Sequence, residues 1–153
     1  MKHNKYISRA NDSFLLYQFT SEGTKGSVRK QVIYSATSAE NIYNLAFGDY
    51  DPLTKTIDDF SITDNGDSFK VLATVASTVI TFTERYPKAW ILVMGSTPSR
   101  TRLYRMGITN NLAEISEDFA IFGYNCERQW VRFAIGEGYD AFLITKKENG
   151  HTS

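Results

Sequence analysis

Between Asp64 and Asp67 the sequence changes its period, and no other feature constrains the fold as much. Before that point apolar residues recur at every second position. In "NIYNLAFGDYD" (41–51), Ile42, Asn44 and Ala46 alternate with Tyr43, Leu45 and Phe47. After it, Phe69, Leu72, Val75, Ala76, Val79, Phe82 and Tyr86 recur at intervals of three and four. A period of two belongs to a strand, whereas a spacing of three and four gathers one face of a helix, here of about five turns. The apolar run "AWILVM" (89–94) then returns as a short buried strand. Such a chain packs a long helix against a sheet.

The other segments fill in that frame. "SFLLYQFTS" (13–21) and "SVRKQVIYSAT" (27–37) flank "EGTKG" and read as a hairpin. "DPLTK" turns the 41–51 strand into "TIDDFSIT" (56–63), a fourth strand. Asp67 is positioned to cap the long helix, and Pro87 stops it. Thr97–Pro98 is an N-cap followed by proline at the first helical position, so a second helix is expected to about Met106, with Gly107 as its stop. "NNLAEISED" reads as a helical turn, and "FAIFGY" (119–124) and "YDAFLITKK" (139–147) as strands. The stretch 125–138 fits either a short helix or an irregular strand. The order predicts an α/β (α+β) fold with a mixed, mostly antiparallel sheet of about 6–7 strands and two main helices. One domain is expected over 13–147, between a flexible N-terminal tail (1–12) and a C-terminal tail (148–153).

Composition removes several function classes. Lysine plus arginine and aspartate plus glutamate both number 17, so no global field recruits nucleic acid or an anionic membrane. A single cysteine, Cys126, and two histidines, His3 and His151, cannot supply a structural zinc site. The opening "MKHNKYISRANDS" lacks an apolar h-region, and no stretch approaches the length of a membrane span, so a cytoplasmic bacterial protein is expected.

The run from "IYNLAFGDYD" to "LYRMGI" resembles the core of the GCN5-related N-acetyltransferase fold. In that fold a hairpin leads through a phosphate-binding loop into a long helix, then a strand, then a second helix carrying a tyrosine. "STPSRTRLYRMGI" is similar to that family's Asn-x-x-Ala-x-x-Leu-Tyr stretch, with Leu103-Tyr104 and Gly107-Ile108 near the matching places. The chain also resembles a family of short bacterial proteins, a domain of unknown function, through "NLAFGDYDPLTKTIDDFSITDNGDSFKVLATVASTV" and "GSTPSRTRLYRMGI". The first resemblance implies acetyl-coenzyme A as a cofactor and Tyr104 as a general acid. The residues resist both. A lone tyrosine before a helix stop is more often a core residue with its hydroxyl at the rim. Where the family turns backbone N–H groups of a glycine-rich loop toward pyrophosphate, this sequence has "DNGDS", whose Asp64 and Asp67 repel the same phosphates. The expectation is therefore a non-catalytic acetyltransferase-like protein without a cofactor. An acyl-coenzyme-A-dependent N-acyltransferase, such as the toxin of a toxin–antitoxin pair, is the alternative.

Two constellations are candidate binding sites. At the mouth of the second helix, Ser96, Thr97, Ser99, Arg100 and Arg102 gather hydroxyls and guanidinium groups where free N–H groups also point. That chemistry suits a small phosphorylated molecule. Alternatively Thr97 only caps the helix, and the arginines pair with Asp49, Asp51, Asp58, Asp59, Asp64 and Asp67, at least one of Arg100 and Arg102 being so held. Further on, Trp130 and Arg132, with Tyr124, Arg128 and Phe133 nearby, are the residue types of interface hot spots, and mark a surface for a protein partner. No metal site is expected, and nucleic acid is not favoured.

Overall fold

In a computed structural model, which describes residues 4–58 and 64–150, the chain forms one mixed sheet of nine strands and four helices. The strands are β1 (Arg9–Ala10), β2 (Leu16–Gly23), β3 (Gly26–Ala36), β4 (Ile42–Asp51), β5 (Thr56–Asp58), β6 (Trp90–Val93), β7 (Phe119–Tyr124), β8 (Trp130–Arg132) and β9 (Ala141–Lys146). The helices are α1 (Ser68–Arg85), α2 (Pro98–Asn110), α3 (Leu112–Asp118) and α4 (Lys147–Gly150). The sheet order is β1-β2-β3-β4-β6-β9-β7-β8, with β5 paired to the far half of β4. Among the described residues β4 and β6 are the one parallel pair.

The sheet exceeds the six or seven strands expected because β1 and β8 have two and three residues, too few to show a period. Residues 59–63 of the expected fourth strand lie outside the described residues. Arg9–Ala10, within the stretch read as a tail, pairs with Tyr17–Gln18. The stretch that fitted either a helix or a strand is a turn leading into β8.

α1 buries Leu72, Val75 and Val79 against Tyr34, Leu45 and Phe47 of the sheet. Tyr34 stacks on Phe82, ring centroids 4.0 Å apart. Phe69, counted in the helical stripe by its spacing, is instead 60% exposed, while Val71 and Leu72 of the same turn are buried. α2 does not stop at Gly107 but runs on to Asn110. There a side chain at Gly107 would come within 3.2 Å of Leu72 Cδ2, so the glycine lets α2 lie close to α1. The chain turns instead at Asn111, whose Nδ2 donates to the Gly107 carbonyl at 2.8 Å. Among the described residues no helix is long and apolar enough to cross a membrane.

Candidate functional site

β6 ends at Val93, and the chain enters α2 through Gly95 and an extended Thr97. Thr97 is the N-cap: its Oγ1 accepts from the Arg100 N–H at 3.2 Å, and Pro98 follows at the first helical position. Thr101 Oγ1 accepts from the Gly95 N–H at 3.2 Å and closes the turn. This turn admits only glycine at 95, since a methyl there would fall on the Thr101 amide nitrogen and within 2.7 Å of the Arg100 carbonyl carbon.

The parallel pairing of β4 with β6 lasts only four residues, from Ile42–Trp90 to Leu45–Val93. Beyond it the two strands part, and the Phe47 peptide has no strand on that side. α2 supplies the missing partners. The Phe47 N–H donates to Tyr104 Oη at 3.1 Å, and Arg100 Nη2 donates to the Phe47 carbonyl and, at 3.3 Å, to Tyr104 Oη. Arg100 is only 4% exposed, and its Nη1 is buried without a hydrogen-bond partner. Arg100 is thus held by a carbonyl and a hydroxyl, not by the carboxylate expected of a buried arginine. Burial also keeps it out of the anion pocket in which it was expected.

That pocket exists on the outer side of the helix mouth. It is an open depression of about 360 Å³ whose wall includes Ser96, Thr97, Arg102, Arg105, Tyr139 and Asp140. Of the five residues expected there, Ser96, Thr97 and Arg102 line it, while Ser99 is exposed outside it and Arg100 points inward. The first-turn amides are largely spent, since Pro98 has no N–H and those of Arg100 and Thr101 go to Thr97. Positive charge at the mouth therefore comes from guanidinium groups rather than from the helix terminus. Arg102 is exposed, and Arg105 is steadied by a 3.3 Å bond to the Glu137 carbonyl. Among the described residues neither forms an ion pair with a carboxylate. Arg105 lies one helical turn from Arg102, a spacing visible in sequence, but Tyr139 and Asp140 reach the wall from a distant loop that reads only as a strand start.

The mouth of α1 has the opposite character. Asp64, Asn65, Asp67 and Ser68 border a depression of about 250 Å³ whose inner wall includes Lys30 and Phe47. Asp67 sits at the N-cap position, yet its carboxylate makes no capping bond. It accepts instead from Tyr6 Oη at 2.5 Å and from Ser21 Oγ at 2.6 Å. Burial and the adjacent Asp67 carboxylate together raise the Tyr6 pKa, since the phenolate would lose water and meet a like charge. Asn65, 1% exposed, ties the β2–β3 turn to this helix start through Gly26 O at 2.8 Å.

Among the described residues the acidic stretch forms no ion pair with the α2 arginines. Asp49 holds the buried Lys30 at 2.5 Å, Asp51 accepts from the Leu53 N–H, and Asp64 accepts from the Gly66 N–H. Asp59 lies outside the described residues.

At the far end of the sheet Trp130 is 42% exposed and packs on Tyr124, ring centroids 5.0 Å apart. Arg132 lies over the Phe122 ring at 5.3 Å. Among the described residues no group of three histidine, cysteine, aspartate or glutamate side chains could hold a metal ion. No curated protein and no solved structure matches the chain. Residues 2–147, nearly its whole length, match a family of unknown function, DUF6934, and the chain belongs to that family.

Proposed function

We propose that this protein is a non-catalytic binding protein of acetyltransferase-like topology, which takes a small phosphorylated molecule at the mouth of α2. The strand order supports the topology: an antiparallel meander leads through α1 into a parallel strand, and β9 later inserts between that strand and β7. One observation carries the non-catalytic reading. In the gap between the parting strands β4 and β6, Arg100 and Tyr104 already occupy the free Phe47 peptide, so an acyl group finds neither space nor donor there. The Tyr104 hydroxyl is 6% exposed with its residue and engaged by two donors, a poor position for a general acid. At the α1 mouth Asp64 and Asp67 oppose a pyrophosphate. At the α2 mouth Arg102 and Arg105 attract a phosphate, while Ser96 and Thr97 lie within reach of its oxygens.

The test is thermal shift and calorimetry with inorganic phosphate, pyrophosphate and acetyl-coenzyme A. Phosphate or pyrophosphate at 100 times its dissociation constant stabilises the fold by about 2.7 kcal/mol. Joint replacement of Arg102 and Arg105 by alanine abolishes that gain and leaves the unliganded stability unchanged. Micromolar affinity for acetyl-coenzyme A, with acyl transfer lost in Tyr104→Phe, would establish instead the N-acyltransferase reading and its toxin variant. A protein partner at Trp130 and Arg132 is the second reading, favoured by the exposed indole and the arginine stacked beside it.

A further inference from the structure

Helices α1, α2 and α3 lie on one face of the sheet, and the topology requires it, while α4 sits at the end of β9, where Asn149 Nδ2 donates to Thr145 Oγ1 of the other face at 3.3 Å. β4, β6 and β7 run in the same direction, since β4 is parallel to β6, while β6 and β7 are both antiparallel to β9. The α1 crossover and the α2–α3 crossover advance the same way across the sheet, so right-handed connections place both on the same side. The contacts agree: Leu45, Val93 and Ile144 of the sheet share one apolar cavity wall with Leu72, Ile108 and Ile115 of the three helices.

The opposite face carries the alternate residues of every strand. Asn44, Leu92, Leu143, Phe122 and Arg132 form one continuous cross-strand row. Leu16, Ile33 and Ala46 extend it toward β2. All the apolar members of these rows are half-buried, shielded by one another. With strands about 4.8 Å apart and some five residues deep, the face measures roughly 650 Å², close to one side of a standard protein interface.

Charge on this face is marginal and one-sided. Arg9 and Arg29 stand at one end and Arg132 at the other, Arg29 over the Tyr50 ring at 5.4 Å and Arg132 over Phe122 at 5.3 Å. Among the described strand residues that face this side, Glu22 is the one carboxylate, and it accepts from Ser27 Oγ. Packing this face on a second copy sets arginines against arginines, which favours a different occupant. We propose that the bare face docks a protein partner presenting an amphipathic helix whose apolar stripe is flanked by aspartate and glutamate. The proposal deepens the partner reading of Trp130 and Arg132 and rests on it, extending it from the strand end to the whole face.

The chain's two tryptophans, Trp90 and Trp130, both belong to this face, so intrinsic fluorescence reports on it selectively. The probe is a synthetic amphipathic helical peptide with a leucine stripe flanked by glutamates, compared with one flanked by lysines. The acidic peptide binds saturably, shifts the emission to the blue and weakens with added salt, and the lysine peptide binds at least about tenfold more weakly. Leu143→Glu in the middle of the face removes binding. Joint replacement of Arg9, Arg29 and Arg132 by glutamate, all at exposed positions, leaves the fold intact and reverses the preference toward the lysine peptide.

Equal binding of both peptides, no binding of the acidic one, a blue shift on anionic vesicles but not on peptide, or a dimer whose dissociation exposes the tryptophans each overturns the proposal. If Trp130→Ala abolishes peptide binding while Leu143→Glu preserves it, the partner reading stands and the face proposal fails. Loss of neither refutes both.

Discussion

Tyr17 tests how much an unpaired polar group costs in this core. It is 1% exposed, meets Tyr34 edge-on at 5.7 Å, and its hydroxyl is buried without a hydrogen-bond partner. Burial first, and then the nearby Tyr86 and Glu84, push its pKa up to about 12. Tyr17→Phe removes only that hydroxyl. An unsatisfied buried group costs about 1–3 kcal/mol, so the variant is expected to be at least as stable as the wild type at pH 7, by up to about 1 kcal/mol. The pH dependence fixes the sign independently. A group whose folded pKa is raised contributes its stability in full below the unfolded value, near 10, and loses it as the pH climbs toward about 12. At pH 11 the unfolded chain has given up this proton and the folded chain has kept it, which removes stability on the order of 1 kcal/mol from the wild type. Urea unfolding at pH 7 and pH 11 measures both effects, with Tyr17→Phe losing that much less on the alkaline side. Tyr34→Phe is the contrast. Thr78 Oγ1 donates to the Val75 carbonyl, so the Tyr34 hydroxyl donates to Thr78 Oγ1 at 2.8 Å, and its removal should cost about 0.5–1.5 kcal/mol at pH 7. If Tyr17→Phe is destabilising by more than about 1 kcal/mol at pH 7, or keeps the wild-type alkaline slope, the hydroxyl is not unpaired and the reasoning is wrong.

Other substitutions probe the site and its supports. Gly95→Ala drives a methyl into the Thr101 amide and should cost about 1–3 kcal/mol by chemical denaturation while also weakening phosphate binding at the α2 mouth. Thr97→Ala removes the cap bond to the Arg100 N–H, with an expected loss of about 0.5–2 kcal/mol in the same assay. Leu72→Ala leaves a cavity between α1, α2 and the sheet, and a loss of about 2–5 kcal/mol is expected; a change within about 0.5 kcal/mol would show that this face of α1 is not packed.

The long periodic segments were legible because period alone sorts helix from strand, and α1, β4 and β6 fall where that rule places them. What escaped was set by partners distant in sequence. Gly107 has the composition of a helix stop, yet it serves the approach of α1 and α2, which only the packed pair reveals. Asp67 has the position of a cap, but Tyr6 and Ser21 come from 61 and 46 residues away to claim its carboxylate. Tyr139 and Asp140 enter the α2 pocket by a loop whose own pattern announces a strand.

Arg100 shows the limit most clearly. Its neighbours in sequence, Ser96, Thr97, Ser99 and Arg102, all suggest a shared anion site, and α2 does present Arg102 to the pocket. Helical geometry turns Arg100 away from that pocket, toward the sheet. Whether the inward direction holds a ligand or a structural gap depends on where β4 and β6 stop pairing, and no local pattern encodes that point. Because they part after Leu45 and Val93, the Phe47 peptide needs both a donor and an acceptor, and the buried cation and Tyr104 provide them. A guanidinium in that position without a carboxylate costs desolvation energy that a neutral residue avoids. The unmet Nη1 is the residue of that cost. The same arginine that makes the sequence look like a ligand site is thus consumed in closing the gap between β4 and β6.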